Sequence, residues 1–257
     1  MIAFTINSAV QFSEPGIAKS RLVFRMPSPP PGVGKPRGLG SGAGSRGNCP
    51  NLGALPPLTA LVPVTEQKVI AKTGRERKVT NLWGLTVSQR PTFVFYVPYT
   101  KALATGNAEF VLQDQLENTV YRQKTLLSDT PGTIAVEIPK TIAPLEVNKA
   151  YYWSFNIYCT PQSNTSALMS PDSVWVKGVI QRNSPSSSLA KQLELAQATP
   201  QTQLEIYAAN GYWYDAIKTL IELRRANPTD PALAADWQDL LHSIGVSKAI
   251  TTAPIAN

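Results

Sequence analysis

Residues 144–159, PLEVNKAYYWSFNIYC, constrain the fold more than any other stretch of this chain. From Tyr151 onward, Tyr151, Trp153, Phe155, Ile157 and Cys159 share one face of an extended segment, and Tyr152, Ser154, Asn156 and Tyr158 share the other. Successive side chains of a strand point to opposite faces, so this alternation predicts a half-buried strand crossing the middle of a sheet. The apolar face needs a second layer to cover it. The approach to the strand is equally specific. Leu145, Asn148 and Tyr151 follow the spacing L-x-x-[GDN]-x-x-Y, in which the ring hydroxyl bonds back to the turn backbone as a tyrosine corner. Leu145, Tyr151, Trp153 and Phe155 are therefore expected to form structural corner and core, leaving Tyr152 and Tyr158 on the opposite face.

Further β-like segments are predicted at 59–63, 82–87, 92–97, 109–113, 119–126, 132–138, 150–159 and 173–181, separated by turn signals at the spacing of a sandwich. TFVFYV at 92–97 is apolar on both faces, as in a central strand, and Pro98 ends it by removing a ladder donor. In the last strand Val174, Val176, Gly178 and Ile180 face one way and Trp175, Lys177 and Val179 the other. GRERK at 74–78 reads as a charged, exposed loop. Together with the corner, this pattern predicts an immunoglobulin-like antiparallel β-sandwich over residues 58–182.

After residue 182 the period changes from two to 3.6. Leu189, Leu193 and Ala196 lie on one helical face behind a run of capping serines. Thr199 and Pro200 open a second helix, since proline at the first position gives up no needed N–H. A third helix is expected from Trp213 to Ala226. A fourth starts at Asp230–Pro231 and ends at Gly245. This helical appendage spans 183–247, and 248–257 is expected to be a frayed tail. Residues 204–231, LEIYAANGYWYDAIKTLIELRRANPTDP, resemble one tetratricopeptide repeat through Tyr207, Gly211, Trp213, Ala216, Leu220, Leu223 and Pro228. A single repeat cannot bury its own apolar face, so it is expected to dock on the sandwich rather than to form a solenoid groove.

Residues 1–57 read as a basic, Pro/Gly-rich, disordered leader. Six cations against the single Glu14 within residues 1–50 place five of the seven net positive charges there. A nucleic-acid contact through this leader is one reading, but a solvated leader accounts for the same composition. The alternating glycines near 38–44 lack the Gly-Lys-[ST] ending of a phosphate loop. No stretch of 18 apolar residues is present, so no membrane span is expected. Residues 1–10 have neither the basic start nor the apolar run of a signal peptide, so the protein is expected either to stay inside the cell or to start upstream of Met1. The two cysteines, Cys49 and Cys159, are too few and too far apart for a zinc site. They are either one disulfide in an exported protein or two buried thiols in a cytoplasmic one.

Signals for chemistry are sparse. The lone histidine, His242, falls in the last turn of the fourth helix, where a cation suits the helix dipole. Ser-His and Cys-His systems have nothing further to build on, and metal-binding patterns are missing, so no cofactor and no catalytic residues are assigned. Asp114, Glu117 and Asp129 lie at turns. As a carboxylate pair such residues are the basis of an alternative hydrolase reading. Aromatics are the stronger clue. Tyr96, Tyr99, Tyr121, Tyr152, Tyr158 and Trp175 cluster on neighbouring strands, either as a binding platform or as the surface that receives Trp213, Tyr214 and Trp237 of the helices. Tyr152, Tyr158 and Trp175 are the candidate contact surface.

One resemblance covers most of the chain. CPNLGALPPLTALVP, PTFVFYVPY, AEFVLQDQ, PLEVNKAYYWSFNIYC, VKGVIQR and YAANGYWYDAIKTLIELR, in that order over residues 46–246, resemble a cyanobacterial family called domain of unknown function nine-two-eight. The family carries no established activity. The resemblance implies an export signal ahead of a Pro/Gly-rich segment, of which this chain has only the second. It therefore implies a start upstream of Met1, a periplasmic or secreted setting, and a Cys49–Cys159 bridge. The expected function is a non-enzymatic interaction module of the cell envelope that binds a protein or glycan through the sandwich.

Overall fold

The computed structural model describes residues 21–28, 43–46, 49–70, 76–159, 172–195 and 199–256. Its strands are β1 (Ala43–Arg46), β2 (Thr59–Ala60), β3 (Val64–Ile70), β4 (Glu76–Thr86), β5 (Thr92–Val97), β6 (Ala104–Gln113), β7 (Thr119–Leu126), β8 (Gly132–Glu137), β9 (Ala150–Cys159) and β10 (Ser173–Arg182). The helices are α1 (Ser187–Leu195), α2 (Pro200–Ala209), α3 (Trp213–Ala226), α4 (Pro231–His242) and α5 (Lys248–Thr251). The chain is thus mostly sheet, followed by helices.

The strands form two sheets, neither of them closed. The large one has the order β3-β4-β10-β9-β6-β7, with β1 added on β10, and the small one has the order β2-β5-β8. Strand β9 lies in the interior of the large sheet between β10 and β6, as its alternating burial requires. β5 is central in the small sheet and buried along its whole length. Ring contacts join the two layers: Phe95 stacks on Phe155 with centroids 4.3 Å apart, and Phe93 lies 4.7 Å from Phe110. Burying aromatic area in this way is the main stabilising term available to two facing sheets.

One pairing departs from the expected antiparallel pattern: β4 runs parallel to β10, with Trp83 opposite Val179. β1 pairs the other half of β10, with Ala43 opposite Val176. The parallel register puts Trp83, Leu85, Val179 and Ala150 in one apolar cluster, which Leu189 of α1 and Tyr212 complete. On the other face of β4, α3 approaches closely. A Cβ on Gly84 would lie 3.0 Å from the Tyr214 ring, so glycine leaves room for the helix. Tyr214 meets Phe93 at 5.3 Å and accepts the Trp153 indole N–H at 2.9 Å, while the Trp213 indole donates to the Leu61 carbonyl at 2.8 Å. Sheets and helices therefore share one continuous core.

Three segments differ from the sequence reading. GRERK does not form only a loop: Glu76, Arg77 and Lys78 belong to β4, which pairs with β3, and residues 74–75 lie outside the described residues. Within the leader, residues 21–28 pack on the helices. Leu22 and Phe24 are buried, Phe24 meets Trp213 edge-on at 4.8 Å, and the Arg25 N–H donates to the Ala208 carbonyl at 3.0 Å. Gly211 lets the segment approach closely, since a Cβ there would lie 2.7 Å from Pro27 and 2.9 Å from the Arg25 carbonyl oxygen. Residues 1–20 and 29–42, with the proline run and most of the alternating glycines, lie outside the described residues, as does Ala196. The tail is also folded: α5 buries Ile250 and Thr251, and Ile255 bridges to Thr133 of β8.

Candidate functional site

Tyr151, at the start of β9, is tied to the turn that precedes it. The Glu146 N–H donates to the Tyr151 hydroxyl at 2.9 Å, and Asn148 takes φ +61°, a region asparagine tolerates better than most residues. Leu145 is buried, its N–H donates to the Gln89 carbonyl at 3.0 Å, and its carbonyl accepts from Arg182. Trp153 and Phe155 lie in the core. Cys159, fully buried at the end of β9, is disulfide-bonded to Cys49 with the two Cα atoms 5.4 Å apart. These residues fix the position of β9, and with it everything on its outward face.

Register places the outward residues in rows. Asn156 lies opposite Glu109 on β6 and Trp175 on β10, and Ser154 lies opposite Val111 and Lys177. Glu109 in turn faces Lys124 on β7, and Val111 faces Arg122. The Tyr158 hydroxyl donates to Glu109 Oε2 at 3.0 Å, and Arg122 donates to Glu109 Oε1 at 3.0 Å. Burial is the main cause, with the hydrogen bond to Glu109 second, that holds the Tyr158 hydroxyl above the ordinary phenol range. Asn156 Nδ2 donates to Ser154 Oγ at 3.2 Å. Lys177 Nζ sits 5.7 Å from the Trp175 ring centroid, a cation–π distance. The Trp175 indole lies across β1, where a Cβ on Gly44 would come within 2.6 Å of it.

At one end of this face, the β6–β7 tip overhangs a pocket of about 190 Å³ lined by Gln113, Asp114, Glu117, Tyr152, Ser154 and Lys177. A register shift between Leu112 and Gln113 directs the tip over the sheet, as bulges do. Asp114 is committed to the turn. It accepts the Leu116 and Asn118 N–H groups and the Asn118 side-chain amide, bonds that hold its carboxyl below the usual carboxylate range, the side-chain bond most strongly. Asp129 pairs with Lys101 at 3.4 Å on the surface. Among the described residues, no group of three or more His, Cys, Asp or Glu is arranged to hold a metal ion.

Of the three predicted contact residues, Tyr158 and Trp175 belong to the outward rows. Tyr152 lines the pocket but also packs against the cluster of α1, Tyr212 and β4. Tyr96 and Tyr99 are buried in the core, and Tyr121 packs against Phe110 from the inner face. Glu109, Arg122 and Gln113 were missed by sequence reasoning, because only register brings them beside Tyr158 and Tyr152.

Fold and face together define a two-sheet protein whose large sheet presents a hydrogen-bonded, partly aromatic outer surface and carries a docked helical unit. The family model called Domain of Unknown Function (DUF928) matches residues 41–255, and the chain belongs to that family. No curated protein matches it.

Proposed function

We propose that this chain is a non-enzymatic interaction module of the cell envelope that binds a protein or glycan partner across the outward face of β7, β6, β9 and β10. The observation that carries the reading is the hydrogen-bonded row of half-buried Tyr158, Asn156, Trp175 and Lys177 around the buried Glu109 and the exposed Arg122. Aromatic rings offer apolar area with a polar handle, and an already networked polar surface loses little side-chain entropy on binding. The Cys49–Cys159 disulfide supports an oxidising compartment, and no helix among the described residues is long and apolar enough to cross a membrane. We read the two facing sheets with their Tyr151 corner as immunoglobulin-like, with the parallel β4–β10 pairing as a local departure, and α2–α3 as one tetratricopeptide-like hairpin. Gly211 at φ +80° and the fully buried Ala216 at the helix contact support the latter. A hydrolase built on loop carboxylates has less support, since Asp114 is held by three donors in its own turn. The test is a glycan-array and pull-down screen with the wild type and with Tyr158→Ala and Trp175→Ala. Capture that both substitutions weaken is expected, and empty screens with the folded wild type count against the reading.

A further inference from the structure

A different part of the fold carries an independent site. β8 is the rim of the small sheet, and Thr133 turns its backbone away from β5: its N–H donates to the Pro254 carbonyl at 2.7 Å and its carbonyl accepts the Ala256 N–H at 2.8 Å. Residues 254–256 therefore run as a short strap parallel to β8. Strand alternation turns the backbone groups of Ala135 and Glu137 to the same rim, where they meet no backbone partner among the described residues. Gly132 makes the approach possible, since a Cβ there would lie 2.9 Å from the Pro254 carbonyl oxygen.

The strap fills its seat incompletely. On one flank a cleft of about 60 Å³ separates it from Val97, Tyr99 and Ile134, and on the other a cleft of about 350 Å³ opens against Arg224, Arg225 and Pro228. Arg225 is engaged, donating to the Ala256 carbonyl at 3.2 Å and to Glu137 at 3.5 Å. Arg224 is not. Its guanidinium lies 5.2 Å from the Trp237 ring centroid, and its Nη1 is buried with no acceptor among the described residues. A buried, unpaired guanidinium N–H is costly, and a carboxylate that reached it would gain a charge-assisted bond.

We propose that the β8 rim is a strand-docking site for an extended peptide segment of a partner protein that carries an acidic residue, and that the 254–256 strap holds the site until such a segment replaces it. The strap shows what the rim accepts: a parallel strand whose backbone bonds Thr133 and whose apolar side chain packs on the core, as Ile255 does. A longer segment running the same way would continue onto Ala135 and Glu137, the β-augmentation mode of peptide recognition. Its carboxylate would answer Arg224.

The test uses the full chain, with two labelled peptides titrated by fluorescence anisotropy: the chain's own AITTAPIAN and the same peptide carrying Ala253→Glu. Ala256→Pro in the protein removes the N–H that Thr133 accepts, and hydrogen exchange at Thr133 reports release of the strap. Release is expected to tighten peptide binding about ten-fold over the wild type, the scale of one backbone hydrogen bond lost from the closed state. The glutamate peptide is expected to bind the tighter of the two. Adding Gly132→Ala abolishes binding, and adding Arg224→Gln removes the glutamate preference. Equal binding to wild type and Ala256→Pro, or no binding to either, overturns the proposal. A glutamate preference that survives Arg224→Gln overturns the acidic partner.

Discussion

Asp215 couples the stability of the helix-on-sheet contact to pH. It lies in the first turn of α3, buried, where Oδ2 accepts the Val87 N–H at 3.0 Å and Oδ1 the Ser88 N–H at 3.2 Å. Burial pushes its carboxyl from 3.8 up to about 6, against the opposing pull of the Thr86 hydroxyl and the two backbone donors. A rise of roughly two pH units corresponds to about 3 kcal/mol of preference for the protonated form in the folded chain. Because the folded value is the higher one, this contribution is fully present below the unfolded value and is lost as pH rises through about 6. Asp215→Asn keeps the shape and removes the titration. Urea melts followed by tryptophan fluorescence, at steps from pH 4 to 7.5, should therefore show the wild type losing about 3 kcal/mol relative to Asp215→Asn over that range. Other ionisable groups are common to both chains and cancel. A difference that stays constant with pH refutes the reasoning. A difference of opposite sign shows that the three donors outweigh desolvation and hold the carboxylate ionised.

Three further outcomes follow from the core. Tyr151→Phe removes the acceptor for the Glu146 N–H and should cost about 1 kcal/mol in denaturant melts, with the fold retained. Trp153→Ala opens a cavity beneath Phe95 and leaves the Tyr214 hydroxyl only its 3.5 Å bond to the Val179 carbonyl, so a loss of roughly 3–5 kcal/mol is expected in the same assay. Reducing the Cys49–Cys159 bridge, which closes a span of 110 residues, should lower stability by up to about 4–5 kcal/mol on the chain-entropy account. Alkylation after mild unfolding, with a melt before and after, measures it.

β9 was legible in the sequence because it alternates from Tyr151 to Cys159, and a period of two says which side chains share a face without knowing the neighbours; β10 alternates only over Trp175–Gly178, and Gly178, Val179 and Ile180 are buried in a row. β5 was legible for the opposite reason: after Thr92, five apolar or aromatic residues in a row have no polar side to offer solvent. What stayed hidden depends on pairing at a distance. β1 lies in a glycine-rich run with no strand signal, and its place is set by Trp175, whose indole needs the bare backbone of Gly44. The parallel register of β4 on β10 is fixed by Trp83 and Leu85 burying beside Val179, a partner about 95 residues further along the chain. Leu22 and Phe24 lie in the short apolar run Leu22-Val23-Phe24, a signal too short for any periodicity, and their burial follows from packing on Trp213 beside Gly211. The outward face was half legible. Tyr158 and Trp175 follow from alternation, whereas Glu109 and Arg122 join them only through the register of β6 with β9 and β7.

The central claim, that the outward face of the large sheet is the binding surface, is tested most directly by the captured partner itself. Once a protein or glycan is recovered with the wild type, its affinity should be measured by calorimetry for Trp175→Ala and for Glu109→Gln, each checked for an intact melt. Trp175→Ala is expected to weaken binding about five- to thirty-fold, the scale of about 1–2 kcal/mol for a buried ring contact. Glu109→Gln is expected to weaken binding as well, by loosening Tyr158 and Arg122. Unchanged affinity in both variants, with the fold retained, would contradict the claim.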